Sequence, residues 1–417
     1  MAKQTIFLGT VANDQTGTTL RAGGDMMNDN FDEIYSAIKT GDYIIVESLA
    51  DLPTPVSDVI TLVANKTYFF VNDIDLLGDR LVGASNTTIL GASSEVSIIT
   101  STGLGASTAL FTTAYTTPIR HIAFKDVGTA LDIDGTGNSA AFDWTSVNFV
   151  NVPTIGVVED FTNLILNKCA FLNSKGLTLD GTFDTFAAET CLFSGDGAAG
   201  SIISVPATAT INRRFRITYS SIVATSSTVG ITFNASASVP VESYILDVVN
   251  FSGGGTYTSG VSVTDNKASF NRCKGISNSD EVSMYYMNSN ATTTTVSATN
   301  THYKVLGTTT SAGLTQKFTN TNNRATYAGS FTRLFTVTAT ISVESGNNNQ
   351  VGVYIAKNGS VISESEVYGT TSGSGRAENI VVQTLVELAT TDYIEIFVEN
   401  ATAVNNILAT DLNVIVI

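Results

Sequence analysis

Two series of short, strand-like segments recur in phase between residues 109 and 275 of this 417-residue chain, and they constrain its fold more than any other feature. Segments of the first series carry a bulky apolar residue at Phe124, Phe149, Phe171, Phe193, Ile222 and Phe251, and the next step falls near Gly275. The steps run from about 22 to about 29 residues, inside the period that marks stacked repeats. The second series starts near residue 109 and continues from Leu131, Ile155, Leu177, Ile202, Ile231 and Val261. Registers that advance together imply that each period is one coil of two or three short strands, joined by Gly-, Asn-, Asp- or Thr-rich turns. One such coil cannot bury its apolar face alone, whereas stacked coils share a continuous core. The expected architecture is therefore a right-handed parallel β-helix over residues 42–300. Stacking puts like side chains above one another, so Phe149, Phe171 and Phe193 should form a buried aromatic stack, with Cys169 and Cys191 as neighbours in an adjacent column.

Composition agrees with a mainly β chain. Charged residues make up 14% of it and the polar remainder is dominated by Ser, Thr, Asn and Gly, a mixture that favours strands and turns over helices. The formal net charge of −16 disfavours binding to phosphate backbones, so nucleic acid is not an expected partner. No run of 18 apolar residues is present and the first residues lack a long apolar stretch, so neither membrane insertion nor a standard export route is expected. The chain is expected to be made and assembled in a cytoplasm. Cys169, Cys191 and Cys273 are too few and too far apart for a disulfide scaffold, and with only His121 and His302 no zinc-ligand spacing exists. The cysteines read as small core residues.

The flanking regions differ in texture. After Gly23-Gly24, apolar residues at Met27, Phe31, Ile34, Tyr35 and Ile38 lie on one face at helical period, which predicts a helix capped by Asp25 and closed by Gly41. So short an amphipathic helix has no core of its own and must dock on something else. From residue 301 to 417 longer alternating strands predict an antiparallel jelly-roll sandwich, with Lys357-Asn358-Gly359-Ser360 as a hairpin turn. The last strand carries Leu412, Val414 and Val416 on one face and Ile415 and Ile417 on the other, which predicts that it is buried inside an oligomer.

The segment Phe7-Leu8-Gly9-Thr10, Asn13-Asp14, Thr16-Gly17, Leu20-Arg21 and Asn28-Asp29-Asn30-Phe31, with Glu33 and Tyr35, resembles the N-terminal segment of many tail fibres, tailspikes and related virion proteins of tailed phages. Gln15 and Gly23 stand where that family usually has a Gly and a helix former. The stretch from Val46 to Gly83 is similar to the opening coils of phage β-helix fibres, and the last 115 or so residues are similar to trimeric jelly-roll tips of tumour-necrosis-factor-like shape. The resemblance implies three parts. Residues 1–41 would attach the fibre to tail or portal-proximal virion proteins through Asn13, Asp14, Leu20, Arg21, Asn28, Asn30, Phe31 and Tyr35. Residues 42–300 would form the shaft, and residues 301–417 a trimerisation and receptor-binding domain. It further implies a homotrimer, a location in the virion tail, and adhesion to a bacterial surface glycan or protein.

Two other functions compete with adhesion. In a tailspike depolymerase two carboxylates flanking a groove would cleave host polysaccharide, and the candidates are Glu159 and Asp160 with Asp180, Asp184 or Glu189 on the next coil. Acids occur in nearly every turn of this chain, however, where Asp supports tight turns through its own backbone. Trp144, the single tryptophan, lies between two core strands and reads as packed rather than as a sugar platform. No catalytic residues are assigned. The other competitor is a purely structural collar or head fibre. Asp132, Asp134, Thr136, Asn138 and Asp143 match part of a calcium-loop spacing, but strands rather than helices should flank them, so they read as a turn between coils. Gly253-Gly254-Gly255 and Gly260 precede no Gly-Lys-Ser/Thr and make no phosphate loop. No metal or cofactor is expected. The distal loops at 367–376 and 401–406 are the expected receptor contacts.

Overall fold

The computed structural model describes residues 19–40, 42–261, 267–276, 279–313, 315–329, 331–373 and 376–417. The described residues divide into two compact units, one reaching to Ser262 with Arg272–Ser277 added, the other formed by Val263–Asn271 and Asn278–Ile417.

The first unit is a parallel β-solenoid of about nine turns. Both sequence series are strands of it. The first forms a sheet in which Phe124, Phe149, Phe171, Phe193, Ile222 and Phe251 are successive register partners. Beyond Phe251 the step near Gly275 is met by a single bridge between Asn250 and Lys274 rather than by a strand. The second series forms a sheet running from Val59–Thr61 through Thr129–Asp134, Thr154–Glu159 and Leu177–Asp180 to Thr256–Ser259. Of the segment expected from Val261, residues 262–266 lie outside the described residues, and Thr256–Ser259 holds that place in the sheet.

A third sheet completes each coil. It contains Tyr43–Val46, Thr67–Phe70, Thr88–Gly91, Ile119–Arg120, Ala141–Thr145, Asn163–Asn167, Thr182–Glu189, Thr210–Thr218 and Tyr244–Asp247. Trp144 belongs here, fully buried within a strand rather than between two. The corner from this sheet to the first-series sheet is one residue at positive φ on coil after coil: His121, Ser146, Lys168, Thr190, Tyr219 and Val248, each between φ 49 and 56. Left-handed backbone costs an ordinary L-residue about 1–2 kcal/mol, so repeated use of it by non-glycine residues shows that the stacked neighbours, not local propensity, set the corner. At the next corner Asp126, Asn151 and Asn173 stack as a side-chain ladder, Asn151 donating to Asp126 at 2.8 Å and Asn173 to Asn151 at 3.0 Å.

The expected aromatic column is present and buried. Phe124 stacks on Phe149 at 5.5 Å, while Phe149–Phe171 and Phe171–Phe193 meet edge to face at 5.2 and 4.8 Å. Cys169, Cys191 and Cys273 are buried free thiols at equivalent corners, each donating to a backbone carbonyl of the preceding coil: Trp144, Leu166 and Leu246.

Before the solenoid, the helix begins at Leu20, not after the glycine pair, and runs to Thr40. Thr19 replaces Asp25 as its cap, because the Thr19 hydroxyl and carbonyl accept from Ala22 N at 3.3 Å and Gly23 N at 2.8 Å. Gly23 and Gly24 are thus carried inside the helix, at about 1 kcal/mol each relative to alanine. Gly41 lies outside the described residues.

The second unit contains an antiparallel two-sheet sandwich. One sheet is ordered Thr310–Ser311, Ser283–Met287, Leu408–Val416, Arg333–Glu344, Glu378–Leu388. The other is built on Phe318–Thr321, Arg324–Tyr327, Tyr393–Asn400, Asn347–Lys357 and Ser360–Val361, with Tyr303–Lys304 and Val367–Ser372 alongside. Its core holds Tyr285, Val337, Ile341, Val353, Ile396, Val414 and Val416. The division expected at residue 300 differs from the sheet membership, because Ser283–Met287 pairs along its length with the last strand. Residues 367–372, expected as a loop, are a strand paired with Asn347–Val353.

The hairpin at Lys357-Asn358-Gly359-Ser360 forms, with φ of 53° at Asn358 and 79° at Gly359. Asp392 pins it by accepting from Asn358 Nδ2 at 2.7 Å and Ala389 N at 2.9 Å and by pairing with Lys357 at 2.8 Å. These partners, Lys357 first, hold the Asp392 carboxyl at about 2, below its ordinary 3.8.

Two predictions follow from this packing. Truncation by Phe171→Ala removes an aromatic in contact above and below, and thermal or denaturant unfolding should show a loss of about 3–5 kcal/mol, against little change for the exposed Leu192→Ala. For Asp392 the folded pKa is depressed, so its contribution is present above the unfolded value and disappears as pH falls through about 2. Asp392→Asn should therefore cost roughly 1–2 kcal/mol at pH 7, with the difference from the parent vanishing near pH 2.

Candidate functional site

Of the expected attachment residues, Asn13 and Asp14 lie outside the described residues. Leu20, Arg21, Asn28, Asn30, Phe31 and Tyr35 all fall on the helix Leu20–Thr40. The side chains of Leu20, Arg21 and Tyr35 are outside the described set. Phe31 is 55% exposed, and Met27, one helical turn before it, is 51% exposed. Two large apolar side chains at i and i+4 thus share an uncovered stripe of the helix.

Of the carboxylates considered for catalysis, Glu159, Asp160, Asp180 and Asp184 gather where the second-series sheet turns toward the third, and Glu189 lies at the other end of Thr182–Glu189. Asp134, Glu159 and Asp180 are register partners on three successive coils. Asp160 accepts from Thr136 Oγ1 at 2.9 Å and Thr182 N at 2.8 Å; Asp180 accepts from its neighbour Gly181 N at 2.7 Å and Thr208 Oγ1 at 2.6 Å. Asp184 is bound by Asn212 at 2.9 Å and faces Arg213. Glu189 is exposed at the end of its strand. Glu159 differs from the rest, because burial first, and then the charges of Asp134, Asp160, Asp180 and Asp132, push its pKa up. A shallow cavity beside these residues is lined by Gly137, Asp160, Phe161, Thr182, Asp184 and Asn212.

The partial calcium-loop pattern resolves into separate roles. Asp134 accepts from the Thr136 backbone and hydroxyl, and Asp143 is tied to Arg120 at 2.6 Å. Among the described residues no group of three or more acidic, histidine or cysteine side chains is placed to hold a metal ion.

The sandwich carries two features of different legibility. The outer side of one sheet presents Leu334, Val381, Leu385 and Ile417, exposed by 64%, 55%, 61% and 64%. Thr336 is opposite Leu385 in the ladder and bonded to the Ile417 backbone, while Ile415 lies opposite Thr338 and Met284, so Leu334, Leu385, Ile415 and Ile417 lie near one another and Val381 stands apart opposite Thr340. The two-faced apolarity of the last strand signalled this. On the other sheet, Glu395 and Glu399 are almost fully buried on the non-core face of Tyr393–Asn400. Glu395 is paired with Lys304 at 2.6 Å and Arg324 at 2.7 Å, and Arg324 covers the Tyr393 ring at 3.9 Å. Glu399 accepts from the Tyr354 hydroxyl at 2.8 Å and from Tyr368, with His302 Nε2 at 3.5 Å. The sequence reading missed this network. Its signal was the alternation of Ile394, Ile396 and Val398 with Glu395 and Glu399, two acids on one face of a strand.

Residues 3–60 match the family described as Bacteriophage T4 gp9/10-like protein, N-terminal. No curated protein matches the chain. Among solved structures, tailspike protein 4 of bacteriophage CBA120, enzymatically active domain, is 9% identical with a TM-score of 0.27, covering 84% of this chain and 64% of its own. Tailspike protein 2 of the same phage, enzymatically active domain, is 11% identical with a TM-score of 0.25, covering 89% and 72%. Murine APRIL is 10% identical with a TM-score of 0.24, covering 33% of this chain and 99% of its own. A T4 gp9/10-like segment followed by a parallel β-solenoid and an antiparallel sandwich fits a phage tail fibre or tailspike. A structural attachment role and a tail-type virion protein agree with that class.

Because ionised Glu159 is penalised in the folded state, stability is fullest below its ordinary pKa of 4.5 and is lost as pH rises through the raised folded value. Glu159→Gln should stabilise the fold at pH 7 by less than about 1 kcal/mol after solvent screening, read as a higher melting temperature. A thermal scan near pH 4 should show no gain.

Proposed function

We propose that this chain is an adhesive fibre or tailspike subunit. Residues 1–41 attach it to tail or portal-proximal virion proteins, and three copies associate through the sandwich, which contacts a glycan or protein receptor on the bacterial surface. The observation that carries the reading is the T4 gp9/10-like segment heading a β-solenoid. The uncovered Met27 and Phe31 supply an apolar stripe suited to a virion partner, and the exposed Leu334, Leu385 and Ile417 suit burial between copies. Burial of apolar area of this kind stabilises association by about 25 cal/mol per Å² before the cost of ordering.

The test uses the full chain. The purified protein should have three times the mass of its chain by light scattering, should bind host cells, and should compete with phage adsorption. Paired Leu385→Asp and Ile417→Asp substitutions should shift the mass toward one chain. Phe31→Ala should lower incorporation into particles while leaving cell binding intact. A folded trimer that binds no host cell would instead assign the chain to a purely structural collar or head fibre.

One observation favours a second reading, a polysaccharide depolymerase. Glu159 and Asp180 are register partners, so their side chains leave adjacent coils on the same face of the sheet, the side-by-side placement that a retaining glycosidase, with carboxylates ~5–5.5 Å apart, requires. The raised pKa of Glu159 suits a general acid. Release of reducing ends from host capsule or lipopolysaccharide, abolished by Glu159→Gln and by Asp180→Asn, would establish it; no release at saturating protein would rule it out.

A further inference from the structure

The loop at 401–406 is held more firmly than its exposure suggests. Asn400, fully buried, accepts at Oδ1 from Thr402 N at 3.1 Å, Thr402 Oγ1 at 3.1 Å and Ala403 N at 3.0 Å. Its Nδ2 donates to the Ser345 hydroxyl and to the Asn405 carbonyl, both at 3.3 Å. Ser345 in turn donates to the Asn406 carbonyl at 3.1 Å, and the buried Asn349 and Thr371 brace the opposite turn, Thr371 donating to the Gly346 carbonyl at 2.6 Å. Buried and mutually satisfied polar groups of this kind fix one backbone conformation.

A cavity of about 340 Å³ opens against this braced loop, lined by Thr293, Glu344, Gly346, Asn405, Asn406 and Leu408. Gly346 shapes it, since a Cβ there would stand 2.1 Å from Asn405 Nδ2, so only glycine lets the Asn405 carboxamide lie across the backbone. That carboxamide is exposed and makes no hydrogen bond among the described residues. The Asn406 side-chain oxygen accepts from Val296 N at 3.2 Å, which commits that oxygen and leaves its Nδ2 to face a ligand.

We propose that this groove binds a neutral, hydroxyl-rich ligand, namely one or two rings of an uncharged surface glycan. The two carboxamides offer donors and an acceptor beside the braced backbone, and the Thr293 hydroxyl can do either, which together match the alternating donors and acceptors of vicinal hydroxyls. Leu408 supplies an apolar wall for ring carbons. The net charge of −16 opposes anionic ligands. A volume of 340 Å³ is at the small end of ligand sites. Pre-ordering of the loop removes an entropy cost that weak glycan contacts could not offset. The proposal rests on the adhesion reading and gives it a site and a ligand class.

Ligand-observed saturation-transfer NMR on the full chain tests it, with glucose, galactose, mannose and N-acetylglucosamine as neutral probes and N-acetylneuraminic acid as the anionic one. Binding in the roughly millimolar range is expected for at least one neutral sugar and for none of the acid. Asn405→Ala, an exposed change that leaves the Asn400 hub intact, should weaken it at least about tenfold. Gly346→Ala should weaken it by displacing the same carboxamide, and Leu192→Ala, at an exposed position on the solenoid, should have no effect. Saturation of no neutral sugar, stronger saturation of the acid, or binding indifferent to Asn405→Ala overturns the groove proposal. If the chain adheres to cells yet binds none of the neutral sugars, the groove falls and adhesion stands. If a neutral sugar binds through Asn405 but no host cell is bound, the groove stands and adhesion falls.

Discussion

The hydrogen-bonded ladder between successive coils is the interaction on which the first unit depends. Each short strand gains partners above and below only if its neighbours keep register, and register then places like residues in columns. Phe on Phe at 124, 149, 171 and 193 and Asn on Asn at 151 and 173 are consequences of that one constraint. So are the corners, where Lys168, Thr190 and Val248 accept left-handed backbone because the strands on either side cannot move. The same ladder brings acids together whether or not they do chemistry, as at Asp134, Glu159 and Asp180, where burial first and then the neighbouring charges raise the Glu159 pKa. A solenoid therefore produces perturbed carboxylates as a by-product of its repeat, and an acid cluster on it points to catalysis less strongly than the same cluster in an irregular cleft.

The sandwich is governed by a different balance. Its two sheets bury one face each against a common core, and the faces left over have opposite characters. One carries exposed apolar side chains, Leu334, Val381, Leu385 and Ile417, among threonines and other polar residues. The other is polar yet nearly dry, because Lys304, Arg324, Tyr354 and Tyr368 cover Glu395 and Glu399. Breaking one partner of such a buried pair leaves an uncompensated charge, so the covered face resists change. The asparagine-braced loop at 401–406 joins a rigid scaffold to an accessible groove, the arrangement in which recognition is least costly.

The in-phase series near 124–251 and 131–231 were legible because each coil repeats the same apolar spacing with little variation. The third sheet was not, for its strands range from the two residues Ile119–Arg120 to the nine of Thr210–Thr218. A register shift between Phe183 and Thr185 further breaks any fixed period. Trp144 was misplaced for that reason. Gly23-Gly24 read as a break because helix propensity is a local measure, while Thr19 capping and the turns that follow carry the helix through. Ser283–Met287 was assigned to the shaft because a five-residue alternating strand looks the same whether it pairs in parallel or, as here, antiparallel with Leu408–Val416.

The sequence by itself determined the repeat, the columns of Phe and Cys, the hairpin at Asn358-Gly359 and the two-faced last strand, because each depends on spacing or on residues adjacent in the chain. It also contained the stretch that matches the T4 gp9/10-like N-terminal family, whose residues are contiguous. Only the tertiary structure decided which acids share a site, which of two sheet faces is dry, and that Gly346, Asn400 and Asn405 build one groove. Those facts depend on residues tens to more than a hundred positions apart being brought to contact distance, and one-dimensional spacing holds no record of which distant strands will pair.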